Sequence, residues 1–566
     1  MHKKGIVMIE GIKEIGEFYK LYLGIQEPYP YQLKVWSKIK EVKSPLLIRA
    51  PTGSGKTEAV VAPFLSQFVE NKFTIAPRLI YVLPMRVLVN NITERIKKYA
   101  HSISNNIAVK IQHGDIPDSP FFISDIVVTT LDQFVYGFAR VSHQVGRHID
   151  IPAGAIASSF IVFDEAHMYR DGFTFAIMRA IMEILYKSNV PFVVMTATMP
   201  ESLERSLFEN INLKEENKIM GDSSIKSEVK IKLMRRPLVN ETEIFVEENI
   251  LNKMKSKKTL IVLNQVKRAQ SVYKEIKKRL GLSDDEIVLL HSRFTRKDRD
   301  SHEKKAIEFM KDKRKGVRVV VSTQVLEAGI DISAELLLTE IAPADAIVQR
   351  SGRCARYDGE KGEILIFPVV GNKSYLPYPM EDIENTLNWL MDNPDFNIKD
   401  FNAVSEFINV LKYEAKDYEA RDSLIDLYEC VLYADTKPRN IQVRKGKPVT
   451  LLVIDESIGI EEGKKKQSVR DIIKNAFLKT DFKKSSISTD IGVAWGLFKN
   501  KMIRWEVVWN YNQKEKKNKL DIVDLLKSNK NVQEEDPRIA PFRVYILSKN
   551  NYNELTGIEK DEFTSI

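Results

Sequence analysis

A glycine-rich string, APTGSGKT at Ala50–Thr57, directly follows the apolar run Leu46-Leu47-Ile48. A loop of this kind between a strand and a helix leaves successive backbone N–H groups pointing at a bound polyphosphate, so the string demands a strand–loop–helix unit. Ala50, Pro51, Thr52, Gly53, Ser54, Gly55, Lys56 and Thr57 are therefore expected to line a nucleoside triphosphate. Lys56 reaches its β- and γ-phosphates and the Thr57 hydroxyl ligates Mg²⁺. Ala50 stands where the strict pattern has glycine, and a residue this small still permits the tight turn. A second string, DEAH at Asp164–His167, follows Phe160-Ile161-Val162-Phe163. Asp164 is expected to hold the same Mg²⁺, and Glu165 to polarise an attacking water.

Between Leu46 and Thr198 short apolar runs alternate with helix-length segments. The runs are Leu46–Ile48, Leu79–Leu83, Ile126–Val128, Phe160–Phe163 and Phe192–Met195. This alternation predicts a parallel sheet flanked by helices, which binds ligands at the carboxyl ends of its strands. The tails at those ends are polar and specific: PMRVLVNN, TTLDQF, DEAH and TATMP. After a charged stretch at Gly221–Thr242, read as a linker, the alternation restarts. The new runs are Thr259–Leu263, Ile287–Leu290, Arg318–Val321, Leu336–Leu338 and Glu363–Phe367. This second lobe lacks a glycine-rich phosphate loop but carries Gln349 and, three apart, Arg350, Arg353 and Arg356. On a helix that spacing places the guanidinium groups on one face, suited to charge developing on a transferring phosphoryl group. Two lobes with a nucleotide in the cleft between them describe a motor that closes on ATP and opens on hydrolysis.

A motor needs a track. Candidate strand contacts at the tails away from the nucleotide are Arg86, Thr129 and Thr130 in the first lobe, and Asn264, His291, Ser292, Arg293 and Thr323 in the second. Such side chains bind phosphate oxygens and position a strand without reading its bases. A net charge of +9 agrees with a polyanionic partner. At 566 residues the chain exceeds a single core. No apolar stretch approaches the ~20 residues that span a membrane. Cys354 and Cys430, the two cysteines, exclude a disulfide framework or a cysteine-built zinc site. A cytoplasmic protein without a membrane partner is expected, with Mg²⁺ carried by ATP as its metal. Beyond Gly371, Glu381–Tyr433 reads as helical, and Val449–Ile454 and Ile503–Val508 as strands. Lysine clusters at Lys464–Lys466, Lys483–Lys484 and Lys514–Lys519 read as solvated loops, and Trp505 and Trp509 as core residues.

The series of strings resembles a superfamily 2 helicase core of the DEAH kind. Tyr31-Gln32 is similar to its Q-motif, and APTGSGKT, PMRVLVN, DIVVTTLDQF, DEAH and TATMP to motifs I, Ia, Ib, II and III. Asn264–Gln270, STQVLEAGIDIS and QRSGRCAR resemble motifs IV, V and VI. The resemblance implies an α/β fold of two tandem RecA-like domains, parallel sheets flanked by helices, plus a C-terminal accessory domain of mixed α and β. The corresponding spans are 1–222, 223–370 and 371–566. It further implies that Gln32 reads adenine and that Gly329 and Asp331 sense the nucleotide. Arg353 and Arg356 take the place of arginine fingers beside Gln349, while His167, Thr196 and Thr198 couple ATP state to the strand.

TQVLEAGIDIS, QRSGRCAR and the long stretch before DEAH are similar to the CRISPR-associated helicases of type I interference systems, in particular at Gln324, Leu326, Glu327 and Ala328. That family usually joins a metal-dependent HD nuclease to the helicase. Here about thirty residues precede Tyr31 and none of the eight histidines is followed by Asp, which resembles a split form with a separate HD nuclease. The resemblance implies single-stranded DNA as substrate, 3′-to-5′ movement and an RNA-guided effector complex as partner. The residues leave two alternatives open: an RNA-remodelling helicase, and an ATP-switched scaffold that recruits a nuclease without travelling.

Overall fold

The computed structural model describes residues 11–558, apart from 42–44, 52, 170, 222–226, 241–242, 312–315, 328–329, 372, 414, 435–440, 445, 462–466, 513–516 and 528–535. Thr52, Ala328, Gly329, Lys464–Lys466, Lys514 and Lys516, and the side chain of Trp509, thus lie outside the described residues. The chain forms two compact units, one of residues 1–226 and 396–445, the other of 227–395 and 446–566.

The first unit is built on eight strands: β1 (Leu46–Arg49), β2 (Arg78–Leu83), β3 (Val109–His113), β4 (Ile116–Pro117), β5 (Ile126–Thr130), β6 (Ser159–Phe163), β7 (Phe192–Thr196) and β8 (Lys218–Met220). Their order is β4-β3-β5-β2-β6-β7-β1-β8, parallel except for the β3–β4 pair. Helices cover both faces, so the central strands are apolar throughout rather than alternating with polar residues. Alternate side chains feed two cores: Ile161 and Phe163 of β6 pack on one face, Phe160 and Val162 on the other. The five runs anticipated from sequence are β1, β2, β5, β6 and β7. Helices Phe401–Ile408 and Asp417–Leu432 also belong to this unit, and Leu427 and Cys430 complete the core that contains Phe134 and Phe163.

The second unit has six parallel strands: β9 (Glu228–Leu233), β12 (Lys258–Val262), β13 (Ile287–Leu290), β14 (Arg318–Ser322), β15 (Leu336–Glu340) and β16 (Lys361–Phe367), ordered β13-β14-β12-β15-β16-β9. A hairpin of β10 (Val239–Asn240) and β11 (Glu243–Ile244) precedes β12. β9 corrects the reading of Gly221–Thr242 as linker. It pairs in register with β16 from Glu228 to Leu233, and its alternating exposed and half-buried residues are those of a sheet edge, which a search for continuous apolar runs passes over. A five-stranded sheet, β17 (Pro448–Ile454), β18 (Ser486–Asp490), β19 (Ile503–Asn512), β20 (Lys517–Asp524) and β21 (Val544–Ser548), completes the unit in the order β18-β17-β21-β19-β20. Trp505 on β19 is buried in its core. Among the described residues no helix is long and apolar enough to cross a membrane.

Candidate nucleotide site and strand-facing edge

β6, β7 and β1 are adjacent, so the loops leaving their carboxyl ends converge. The β1–β7 register pairs Arg49 with Thr196, and the Ala50 amide donates to the Thr196 carbonyl at 3.1 Å. Gly53 and Gly55 hold φ of 88° and 80°, a backbone region that favours glycine. At Gly55 a Cβ would also come within 2.5 Å of the Gln32 amide nitrogen. That amide donates to the Gly55 carbonyl at 2.9 Å, and the Gln32 carbonyl oxygen accepts from the Tyr29 amide at 2.8 Å. Gln32 therefore braces the phosphate loop directly. Lys56 opens the helix Lys56–Glu70 and donates from Nζ to the Ala50 carbonyl at 2.9 Å.

Tyr81, central in β2 and fully buried, joins the two residues expected to hold Mg²⁺. Its hydroxyl donates to Asp164 Oδ2 at 2.6 Å and lies 3.4 Å from Thr57 Oγ1. Thr57 and Asp164 thus present hard oxygens on one small patch, a donor set that fits Mg²⁺ held jointly with phosphate oxygens; the ion would neutralise phosphoryl charge there. Burial raises the Asp164 carboxyl to about 6; neighbouring Glu165 adds to the rise, while Lys56 and the Tyr81 hydroxyl oppose it. Glu165 has φ of 53°, an uncommon conformation for a side-chain-bearing residue, which turns the chain sharply at the strand end.

His167 Nδ1 lies 3.0 Å from Thr196 Oγ1. That hydroxyl donates to the Thr198 carbonyl at 2.6 Å and accepts from the Thr198 amide at 3.1 Å. With its one proton committed, Thr196 accepts from a protonated Nδ1, so the DEAH and TATMP strings are directly bonded. Glu58, beside Thr57 and 1% exposed, links the site to the helix Arg86–Ile103: its Oε1 accepts from Arg95 Nη2 at 2.6 Å and from the Tyr99 hydroxyl at 2.7 Å. Sequence reasoning missed Tyr81 and Glu58. Tyr81 is one aromatic in an apolar strand, and Glu58 reads as an ordinary charge in a helix's first turn.

In the second unit the expectation of three arginines on one helical face is corrected. The helix Ala344–Ser351 ends at Gly352, and Ala355 with φ of 45° redirects the chain. Arg350 points into the core at 1% exposure and donates to Glu327 Oε1, Thr339 Oγ1, Asn264 Oδ1 and the Tyr378 hydroxyl, at 2.9 to 3.0 Å. Arg353, also buried, donates to the carbonyls of Leu326 and Glu327 at 3.2 and 3.0 Å. Arg356 pairs with Asp331 at 3.0 Å, and Tyr357 donates to the same carboxylate. Gln349 is half-buried on the helix.

The expected strand contacts divide by exposure. Arg86 begins its helix, is exposed and pairs with Asp115 at 2.9 Å; Ser292 is exposed and Arg293 half-buried. Thr129 is buried and donates to the Gln112 carbonyl at 2.8 Å; Thr130 and Thr323 are buried at the ends of their strands. Asn264 donates to the Ile341 carbonyl at 2.9 Å while its oxygen receives Arg350. His291 is buried, stacks on Phe294 at 4.2 Å and donates from Nε2 to the Thr556 carbonyl at 3.1 Å. In this structure the hydrogen-bonded side chains of Thr129, Asn264 and His291 hold their own loops in place.

Comparisons with known proteins agree with this architecture. Residues 29–206 match the DEAD/DEAH box helicase family, and residues 255–359 match the family described as CRISPR-associated nuclease/helicase Cas3, C-terminal. A CRISPR-associated helicase Cas3 of Thermoproteus tenax is 31% identical over 365 residues, covering 62% of this chain and 59% of the relative. A putative CRISPR-associated nuclease/helicase Cas3 of Methanocaldococcus jannaschii is 29% identical, covering 66% and 53%. The chain thus spans less than two thirds of the length of these curated relatives. The crystal structure of T. fusca Cas3 with AMPPNP superposes with a TM-score of 0.67 at 16% identity, over 94% of this chain and 68% of that one, which shows a shared fold. Two parallel α/β cores bear these strings in the order of the two matched families, so the chain is similar to DEAD/DEAH box helicases in its first core and to CRISPR-associated Cas3 helicases in its second.

Proposed function

We propose that this chain is an ATP-driven translocase on single-stranded DNA, moving 3′-to-5′ within a type I CRISPR interference system. It unwinds DNA marked by an RNA-guided effector complex and presents the strand to a separate HD nuclease. The observation that carries the reading is the convergence of Lys56, Thr57, Asp164 and Glu165 at one sheet edge, bonded through His167 and Thr196 to Thr198. Ala50–Thr57 cradle the phosphates, Thr57 and Asp164 hold Mg²⁺, and Glu165 orients the attacking water. In this reading Arg353 and Arg356, with Gln349 beside them, stabilise the developing phosphoryl charge, each exchanging its carbonyl or Asp331 partner for phosphate oxygen. Gly329 and Asp331 respond to the nucleotide, and Gln32 links adenine recognition to Gly55. Arg86, Ser292 and Arg293 meet strand phosphates, while Thr129, Thr130, Asn264, His291 and Thr323 shape the loops that present them. The names of the relatives support the CRISPR setting.

Displacement of a labelled strand from duplexes with a 3′ or a 5′ tail tests the reading. Unwinding of the 3′-tailed duplex alone is expected, and it is abolished by Lys56→Ala or Glu165→Gln. ATP turnover without displacement of either substrate would identify the ATP-switched scaffold instead.

A further inference from the structure

Outside the helicase strings, one arginine reaches two of them at once. Arg444 donates from Nη2 to the Pro84 carbonyl at 2.5 Å and from Nε to Asp132 Oδ1 at 3.2 Å. Pro84 begins the PMRVLVN loop after β2, and Asp132 lies in the first turn of the helix Leu131–Phe138 after β5. These strands are neighbours, with Leu83 paired to Thr130, so one guanidinium ties together two adjacent loops of the strand-facing edge.

Arg444 is firmly placed for this. Ile441 and Val443 beside it are 3% and 2% exposed, in the same core as Phe134, Val135 and Phe138. The Gln442 amide donates to Ser423 Oγ at 3.1 Å, on the helix Asp417–Leu432. That helix is itself anchored: Arg179 pairs with Asp417 at 2.5 Å, and Arg140 Nη1 donates to the Cys430 carbonyl at 2.8 Å. The Arg444 side chain is 48% exposed. A solvent-screened ion pair of this kind adds little to stability, on the order of 0–1 kcal/mol. The bond to a backbone carbonyl is different, because it fixes where the chain leaves β2, two residues before Arg86. The rigid fork of arginine spans both partners, which a lysine ammonium does not do with the same geometry.

We infer that Arg444 is a positioning residue for the nucleic-acid strand, holding the loops after β2 and β5 at the spacing that presents Arg86 to successive phosphates. The inference rests on the proposed function. It extends that function to the segment after the helix Asp417–Leu432, which carries none of the helicase strings.

The test compares the full chain with Arg444→Met, Arg444→Lys and Asp132→Asn. It measures ATPase without polynucleotide, ATPase against a titration of single-stranded DNA, and melting temperature. For Arg444→Met, basal ATPase and saturated turnover are expected within about twofold of wild type. The half-saturating DNA concentration is expected to rise about tenfold, the scale of one lost charge-assisted hydrogen bond. Arg444→Lys, which keeps the charge and loses the fork, should behave similarly. Asp132→Asn should add little to Arg444→Met, as expected of partners in one contact. The slope of affinity against salt should stay at its wild-type value, because no phosphate contact has been removed. A slope lowered by about one ion would make Arg444 a direct phosphate ligand and overturn the positioning role. Unchanged DNA affinity in Arg444→Met, or a parallel fall in basal ATPase, would overturn it too, with wild-type stimulation leaving the proposed function standing. A wild-type chain that binds no DNA overturns both.

Discussion

The Tyr81 hydroxyl donates to Asp164 Oδ2 at 2.6 Å inside a fully buried patch, and the same hydroxyl lies 3.4 Å from Thr57. A tyrosine from the middle of an apolar strand therefore organises the carboxylate that motif II contributes. Burial lifts Asp164 to about 6, and the Tyr81 donor holds it from rising further. Protonated Asp164 is a poor ligand for a divalent cation, and bound Mg²⁺ in turn favours the anion, so ATP turnover is expected to fall at acid pH, below about 6. Removing the donor in Tyr81→Phe disfavours the anion and moves this acid limb to higher pH, by about one unit for a hydrogen bond to a charged group. A pH–rate profile at fixed Mg²⁺ checks this. An acid limb that stays in place would remove Tyr81 from the site.

Arg350 and Arg353 are three residues apart, and their variants are expected to fail in different ways. Truncating Arg350 leaves Glu327, Asn264 and Tyr378 without their shared partner in a buried network. Arg350→Ala should therefore lower unfolding stability by about 3–5 kcal/mol, measured by denaturant titration. Arg353→Ala is expected to keep ATP binding and lose turnover by about 10³-fold, as for an arginine finger. Lost ATP affinity with intact turnover in Arg353→Ala would show that the finger is elsewhere.

His291 gives the second unit a pH dependence of its own. Burial lowers it to about 3, and Arg293, His302 and Arg299 oppose its protonation as well. The unfolded chain takes up a proton near pH 6.5 while the folded one does not, so stability is lost as pH falls from about 6.5 towards 3, by about 1.4 kcal/mol per unit. His291→Gln should be less stable at pH 7.5 but show a flatter slope between pH 6.5 and 5, as followed by thermal melts. An equally steep slope would assign the effect to other groups, with His302, also lowered by burial, the first to examine.

Much of this site was legible in the sequence because its residues sit where backbone geometry dictates identity. Gly55 needs both a positive φ and room beside Gln32, and the parallel strands announce themselves as continuous apolar runs. What stayed hidden depends on which partner a side chain finds after folding. The spacing of Arg350, Arg353 and Arg356 suggests a shared face, yet the helix ends at Gly352 and each finds a different partner. His291 reads as a polar residue at a strand tail, and only the fold brings the Thr556 carbonyl to it, from 265 residues away. β9 escaped notice because an edge strand exposing every second residue carries no apolar run.

Glu58 offers a test of communication between the nucleotide and the strand-facing helix. Arg95→Met removes one of its two partners on the helix Arg86–Ile103 without touching the phosphate loop. Basal ATPase is expected to persist within about twofold, with stimulation by single-stranded DNA reduced by about tenfold, the scale of one lost charge-assisted contact. Equal loss of basal and stimulated rates would mean that Arg95 supports only the fold.

The most direct measurement is steady-state ATPase activity with no polynucleotide, with single-stranded DNA, and with single-stranded RNA of the same sequence. Strong stimulation by DNA, little by RNA, and none in Lys56→Ala or Glu165→Gln is the predicted result. Stimulation by RNA alone, or by neither polymer, would contradict a DNA translocase.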